Sequence, residues 1–318
     1  MDRPRVHRMK LVLFPLLLGA SIAHGGLQNY PSLVVADPAP PSGPLRHAVR
    51  ITYLGVNGYQ FEADGHVLLV DPYFTRAGFW SVAWNRPMVS QPGRVDEGFR
   101  HLRPRADAVL VTHAHFDHLL DVPNVMRRTG ARLVAGPTAI RLVQSFGIAP
   151  QKCDSVQPGT IRTIGPWTIH VLAAQHDTLL GSVPFPNRPK TLTHPPAKPS
   201  DWVVGEPLAF MIEAAGKRIY IDSGGVPGFP PDRVVGRVDL AILGLALPDS
   251  RQRFAESVVR LHPRFILPSH QDDFFTPLNR GFVFGKLTNF PDIQRQHQKQ
   301  DLPGRLILLD YFKPWTLR

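Results

Sequence analysis

Apolar residues along this chain gather in short clusters rather than long stripes. Val49–Leu54 alternates weakly and predicts a strand. Tyr59–Ala63 and Val67–Asp71 flank Asp64-Gly65, a two-residue hairpin signal, and predict an antiparallel pair. Ala108–Val111 is an unbroken apolar run, the pattern of a strand buried on both faces, and it leads directly to His113. From Leu119 to about Arg128 the spacing becomes helical and stops at Gly130, and Leu133–Ala135 predicts another strand. Pro137–Phe146 predicts a helix with proline in its first turn and Gly147 at its end.

A second set of elements follows. Trp167–Ala174, Leu208–Ala214 and Arg218–Ile221 read as strands. Leu240–Leu243 and Phe265–Leu267 are apolar strands separated by a helix over roughly Arg251–Leu261. Each half passes from antiparallel strands to strand–helix alternation. That order predicts an α/β fold of two mixed sheets packed face to face, with helices outside, a four-layer αββα sandwich. Between the strand sets, the proline-rich stretch Gly181–Pro207 carries Asn187, Arg188, His194 and Trp202 and is expected to lie as an ordered loop over a site.

The N-terminus changes the picture of where the chain works. Arg3, Arg5, Arg8 and Lys10 precede the apolar run Leu11–Ala23, and Ser21-Ile22-Ala23 offers small residues for cleavage. Residues 1–23 therefore read as an export signal, 24–47 as a linker centred on the segment ADPAPPSGP, and 48–318 as the folded domain. Export would place the protein in the periplasm or outside the cell; retention of the segment would leave it membrane-anchored. The signal holds four basic residues and one acid, so its loss takes the formal charge from +11 to +8. A basic surface suits a small anionic substrate or association with membrane headgroups, and export argues against nucleic acid. Cys153 stands alone and cannot form an intramolecular disulfide.

Candidate chemistry concentrates at the ends of the apolar strands. His113, His115, Asp117 and His118 place four potential metal ligands within six residues, directly after a buried strand. In extended chain, alternation sends His113 and His115 to one side, and the turn into the next helix lets Asp117 and His118 face a second ion. His176, Asp222 and His270 each follow another apolar strand. Together these supply five histidines and two aspartates, enough for two ions. Ser223, beside Asp222 and before Gly224-Gly225, is assigned to the turn. Trp80, Trp84, His194, Trp202, Asp272 and Asp273 lie on loops near these ends, where each is either a pocket residue or a packing anchor.

The run His-x-His-x-Asp-His with separate later His, Asp and His residues resembles the metallo-β-lactamase-fold superfamily over about residues 49–275. The resemblance implies a dinuclear site for two Zn2+, with iron or manganese as alternatives. It assigns His113, His115 and His176 to one ion, Asp117, His118 and His270 to the other, and Asp222 as a bridge. Asp117 would also orient the nucleophile or pass a proton, and Asp71 would support the ligands from behind. The implied activity is hydrolysis by a metal-bridging hydroxide. A bridging Asp222 points to an ester, lactone or phosphodiester rather than a β-lactam. The lead-in Ile51–Gly55, with Leu69–Pro72, is most similar to the branch of ascorbate-phosphate lactonases and N-acyl-phosphatidylethanolamine phospholipase D. The residues after His176, Asp177-Thr178-Leu179-Leu180, depart from that branch, so its activities do not transfer. The other readings are a mononuclear-iron sulfur dioxygenase of the same fold and a non-catalytic exported binding protein.

Overall fold

The computed structural model describes residues 25–38, 45, 47–186, 194–229 and 236–318. The proposed export signal lies outside the described residues, as do Asn187 and Arg188. Two sheets account for the framework. The first contains β1 (Val49–Gly55), β2 (Gly58–Ala63), β3 (His66–Val70), β4 (Ala108–Leu110), β5 (Arg132–Ala135) and β6 (Cys153–Ser155) in consecutive order. The second contains β7 (Ile161–Ile164), β8 (Trp167–Ala173), β9 (Leu208–Ala214), β10 (Lys217–Ile221), β11 (Val238–Gly244), β12 (Pro263–Ser269) and β13 (Arg305–Leu306), again in order. A last strand, β14 (Trp315–Leu317), returns to the first sheet and pairs antiparallel with β1.

The two halves repeat one plan. β1 to β3 pair antiparallel, then β3 to β6 pair parallel. In the same way β7 to β10 pair antiparallel, then β10 to β13 pair parallel. Parallel neighbours need crossovers, and the helices supply most of them. Two short helices, α1 (Phe79–Ala83) and α2 (Pro92–Phe99), lie between β3 and β4. α3 (Phe116–Leu119) and α4 (Val122–Thr129) join β4 to β5, and α5 (Pro137–Gln144) joins β5 to β6. α6 (Pro248–Leu261) joins β11 to β12, and α7 (Phe290–Lys299) leads to β13. Every residue of β1 and β2 is buried, polar ones included, because both faces of the sheet are covered.

Two local departures from the sequence reading have clear causes. The helix expected over Leu119–Arg128 is α4, which ends at Gly130 as expected but starts only at Val122, after the separate short helix α3. Pro123 falls in the first turn of α4, where a missing N–H costs nothing, but it could not continue a helix from Phe116. Within the stretch read as linker, residues 25–38 pack on the domain. Val34 bridges Leu308, the Asp37 carboxylate accepts from Thr316 N and Oγ1, and Tyr30 meets Phe284 and Phe290 edge-on. Apolar residues outside the ADPAPPSGP segment gave this piece something to bury.

Candidate metal centre

Strand β4 delivers the chain into the centre. Asp71 Oδ1 accepts from Thr112 N at 2.8 Å and Oδ2 accepts from Thr112 Oγ1, so the end of β3 fixes the residue just before His113. His113 and His115 turn their rings toward each other, with His113 Nε2 2.9 Å from His115 Nδ1. His115 Nε2 donates to Pro184 O at 2.9 Å, which leaves Nδ1 as the free lone pair. His176, beyond β8, donates through Nδ1 to Asp177 O at 2.7 Å and so presents Nε2. The three rings sit with centroids 4.6–4.7 Å apart. Each residue of this triad offers one ligand atom within 4.8 Å of the others.

A second triad adjoins it. α3 carries Asp117 and His118 on consecutive positions, and β12 leads directly into His270, whose backbone takes the left-handed φ of +52°. Asp117 Oδ2 lies 3.1 Å from His270 Nε2 and 3.7 Å from His118 Nε2. His118 Nδ1 donates to Asp71 Oδ2 at 2.8 Å, while its buried Nε2 has no hydrogen-bond partner. A buried polar atom without a partner is costly unless something outside the chain satisfies it. These residues fit zinc: imidazole nitrogens and one carboxylate converge in two adjoining groups of three ligands each.

The electrostatics agree with the geometry. Burial, then crowding by the other histidines, holds His113 and His115 well below the usual imidazole range, so they stay neutral as ligands must. Burial alone would raise Asp117, but His118, His270 and His115 outweigh it and hold the carboxyl below the usual range. For His118 burial is outweighed by Asp117 and Asp71, and its pKa is raised.

The seventh expected ligand is placed differently. Asp222 is buried at the end of β10, but its Oδ1 accepts from Gly244 N at 3.0 Å and Gly224 N at 3.2 Å. Its Oδ2 accepts from Tyr220 Oη and from Arg253 Nη2, each at 2.9 Å. A carboxylate has about four lone-pair sites, and all four are engaged. Asp222 is thus in neither triad, and its oxygens are held by Gly244, Gly224, Tyr220 and Arg253. Gly244 makes the arrangement fit, because a side chain there would collide with Ser223 as it passes.

Other loop residues also find defined places. Ser223, assigned only to a turn, brings Oγ to 3.2 Å from His113 Nδ1. Asp272 is no pocket residue: it is fully buried and bound by Arg76, Tyr53, Tyr311 and Val56 N. Asp273 closes a turn on Phe275 N and Thr276. Trp202 is 0% exposed and stacks on Phe146, an anchor of its loop, whereas His194 is exposed and meets Pro195 O. The sequence reading missed Asn57. It donates to Asp71 Oδ2 at 2.9 Å and accepts from Ser269 Oγ at 2.7 Å, tying the two halves together behind the ligands. The Asn57-Gly58 pair marks a turn in the sequence, but nothing local shows that its side chain spans two sheets.

A beta-lactamase superfamily domain matches residues 66–268, well over half of the chain. The chain belongs to the metallo-β-lactamase superfamily. A UPF0173 metal-dependent hydrolase from Cupriavidus taiwanensis is 29% identical over 270 residues, covering 80% of this chain and 83% of that one. The novel metallo hydrolase Igni18 of Ignicoccus hospitalis shares the superfamily fold, with a TM-score of 0.56 at 17% identity, over 85% of this chain and 99% of Igni18. The diiron β-hydroxylase CmlA of Streptomyces venezuelae has a TM-score of 0.54 at 15% identity, over 89% of this chain and 55% of CmlA. The relative from Cupriavidus taiwanensis is a metal-dependent hydrolase, and in this superfamily member His and Asp groups are arranged so that they could hold a metal ion.

Proposed function

We propose that the protein is an exported, dinuclear zinc hydrolase of ester, lactone or phosphodiester bonds, acting on a small and often anionic molecule. The observation that carries this reading is the pair of adjoining triads, His113/His115/His176 and Asp117/His118/His270. When bound, the metal pair supplies an acidified water and Lewis-acid stabilisation of the developing charge. The chain's own part is to position. Asp71 orients His118 through Nδ1, and Pro184 O orients His115 through Nε2. Asp117, kept ionised, belongs to the second triad and faces His115 of the first, so it is suited to orient an attacking water by accepting its hydrogen bond. The loop from Leu179 to Phe185 shelters His115 from water.

Export rests on the basic and apolar N-terminal pattern, and N-terminal sequencing of the secreted chain tests it. Among the described residues no helix is long and apolar enough to cross a membrane. Elemental analysis of the purified chain tests the centre: about two zinc per chain supports the reading, whereas a single iron supports the dioxygenase alternative suggested by the shared ligand set. A panel of lactone, carboxyl ester, phosphodiester and β-lactam substrates then tests the bond, with Asp117→Ala expected to lose at least a hundredfold in kcat/KM. Full turnover by that variant would remove Asp117 from the mechanism.

A further inference from the structure

A line of aromatic rings leaves the metal centre and ends in solvent. It begins on the candidate ligand His270, whose ring meets Phe274 edge-on at 5.5 Å. Phe274 lies 4.1 Å from Phe275, and Phe275 meets Phe79 at 5.3 Å, crossing from the loop after β12 to the loop after β3. Phe79 meets Trp80 at 5.1 Å, and Trp80 stacks on Trp84 at 6.3 Å with an interplanar angle of 18°. Phe274, Phe275 and Phe79 are half-buried, but Trp80 and Trp84 are 54% and 56% exposed. None of the five residues carries a charge.

Packing alone does not account for this arrangement. Large aromatics are usually well covered in a folded domain, and adjoining exposed ones mark a surface that binds something. Trp80 and Trp84 are four residues apart in the α1 segment, so they share one face, and their mutual stacking still leaves more than half of each open. The track of rings runs from a candidate ligand to two solvent-exposed indoles. It thus offers an apolar group attached to the scissile bond a path away from the ions, with ring faces along its length. On the opposite flank Phe185 meets His115 at 6.1 Å and keeps that side of the centre apolar as well.

We infer that Phe274, Phe275, Phe79, Trp80 and Trp84 form the subsite for an extended apolar substituent, an acyl or alkyl chain, on the molecule that occupies the metal centre. This rests on the hydrolase reading above and narrows its substrate to one with a polar, metal-directed head and an apolar tail. Each methylene moved from water onto the track contributes up to about a fourfold gain in affinity.

The test separates binding from turnover. Acetate, octanoate and dodecanoate are titrated calorimetrically into the zinc-loaded full chain and into Trp80→Ala/Trp84→Ala. Both positions are exposed, and circular dichroism checks that the variant folds. Affinity should tighten more than tenfold from acetate to dodecanoate in the parent chain, and most of that gain should vanish in the variant while acetate binding stays unchanged. A flat series in the parent, or an undiminished series in the variant, overturns the inference. So does a flat series accompanied by Trp-dependent binding to anionic phospholipid vesicles, which would make the indoles a membrane contact. Hydrolysis of p-nitrophenyl acetate and octanoate is measured separately. If neither is cleaved but the carboxylate series still depends on the tryptophans, the ester reading fails and the subsite stands.

Discussion

Asp71 and Asp222 occupy matching places in the two sheets, yet they do different work. Each follows an apolar strand, β3 or β10, at its carboxyl end, and each is buried. Asp71 turns toward the centre and accepts from His118 Nδ1, Thr112 N, Thr112 Oγ1 and Asn57 Nδ2. Asp222 turns toward α6 and is held by Arg253, Tyr220 and two backbone amides. A carboxylate at a strand end is therefore a ligand, a support or an ion-pair partner according to the donors around it. Strand position decides only that it will be buried and must be satisfied.

The largest effect should come from Asp71. Asp71→Ala leaves four donors without their acceptor in the core, three of them neutral and one on a histidine of raised pKa. We expect a loss of roughly 5 kcal/mol, a large part of a typical domain's stability. Denaturant unfolding measures it. Asp71→Asn keeps the shape but not the charge, and should weaken metal binding by about 10- to 100-fold through His118. Normal stability and metal affinity in both variants would show that Asp71 is an ordinary turn residue.

Asp222 should give a smaller loss of a different kind. Asp222→Asn leaves the Arg253 guanidinium buried without its counter-charge, at a cost of about 3 kcal/mol, and Arg253→Met should cost a similar amount by stranding the carboxylate. Metal content should not change in either. If Asp222→Asn instead lowered bound zinc from about two to one per chain, the contrast with Asp71 would collapse and Asp222 would be a ligand after all.

This contrast also marks how far the sequence could be read. The sandwich was legible because short apolar runs such as Ala108–Val111 and Leu240–Leu243 are typical of strands buried on both faces, and their order repeats. The candidate ligands His113, His115, Asp117 and His118 stood out because four such residues seldom crowd together after a buried strand. What stayed hidden depends on partners far away in the chain. Nothing near Asp222 in sequence names Arg253, 31 positions later, as its counter-ion. Nothing near Asn57 names Ser269, and nothing near Asp272 names Tyr53 or Arg76. Short edge strands such as β6 and β13 were missed because two or three residues carry too little pattern.

Ser223 tests the same comparison at its finest grain. At the bend that follows β10, the side chain after Asp222 points where Asp222 does not. Its Oγ reaches His113 Nδ1 at 3.2 Å, slightly closer than Thr112 Oγ1 at 3.3 Å, and that threonine hydroxyl is already given to Asp71. Ser223 is thus the group best placed to fix which nitrogen of His113 faces the metal. It touches no ion itself, so Ser223→Ala should cost only about 1 kcal/mol, less than tenfold in zinc affinity when measured against a competing chelator. Substitution by Thr, which restores a hydroxyl, should recover most of it. A loss beyond a hundredfold would mean that the turn at Asp222 and Ser223 holds the metal directly, and the division of labour between the two strand ends would have to be redrawn.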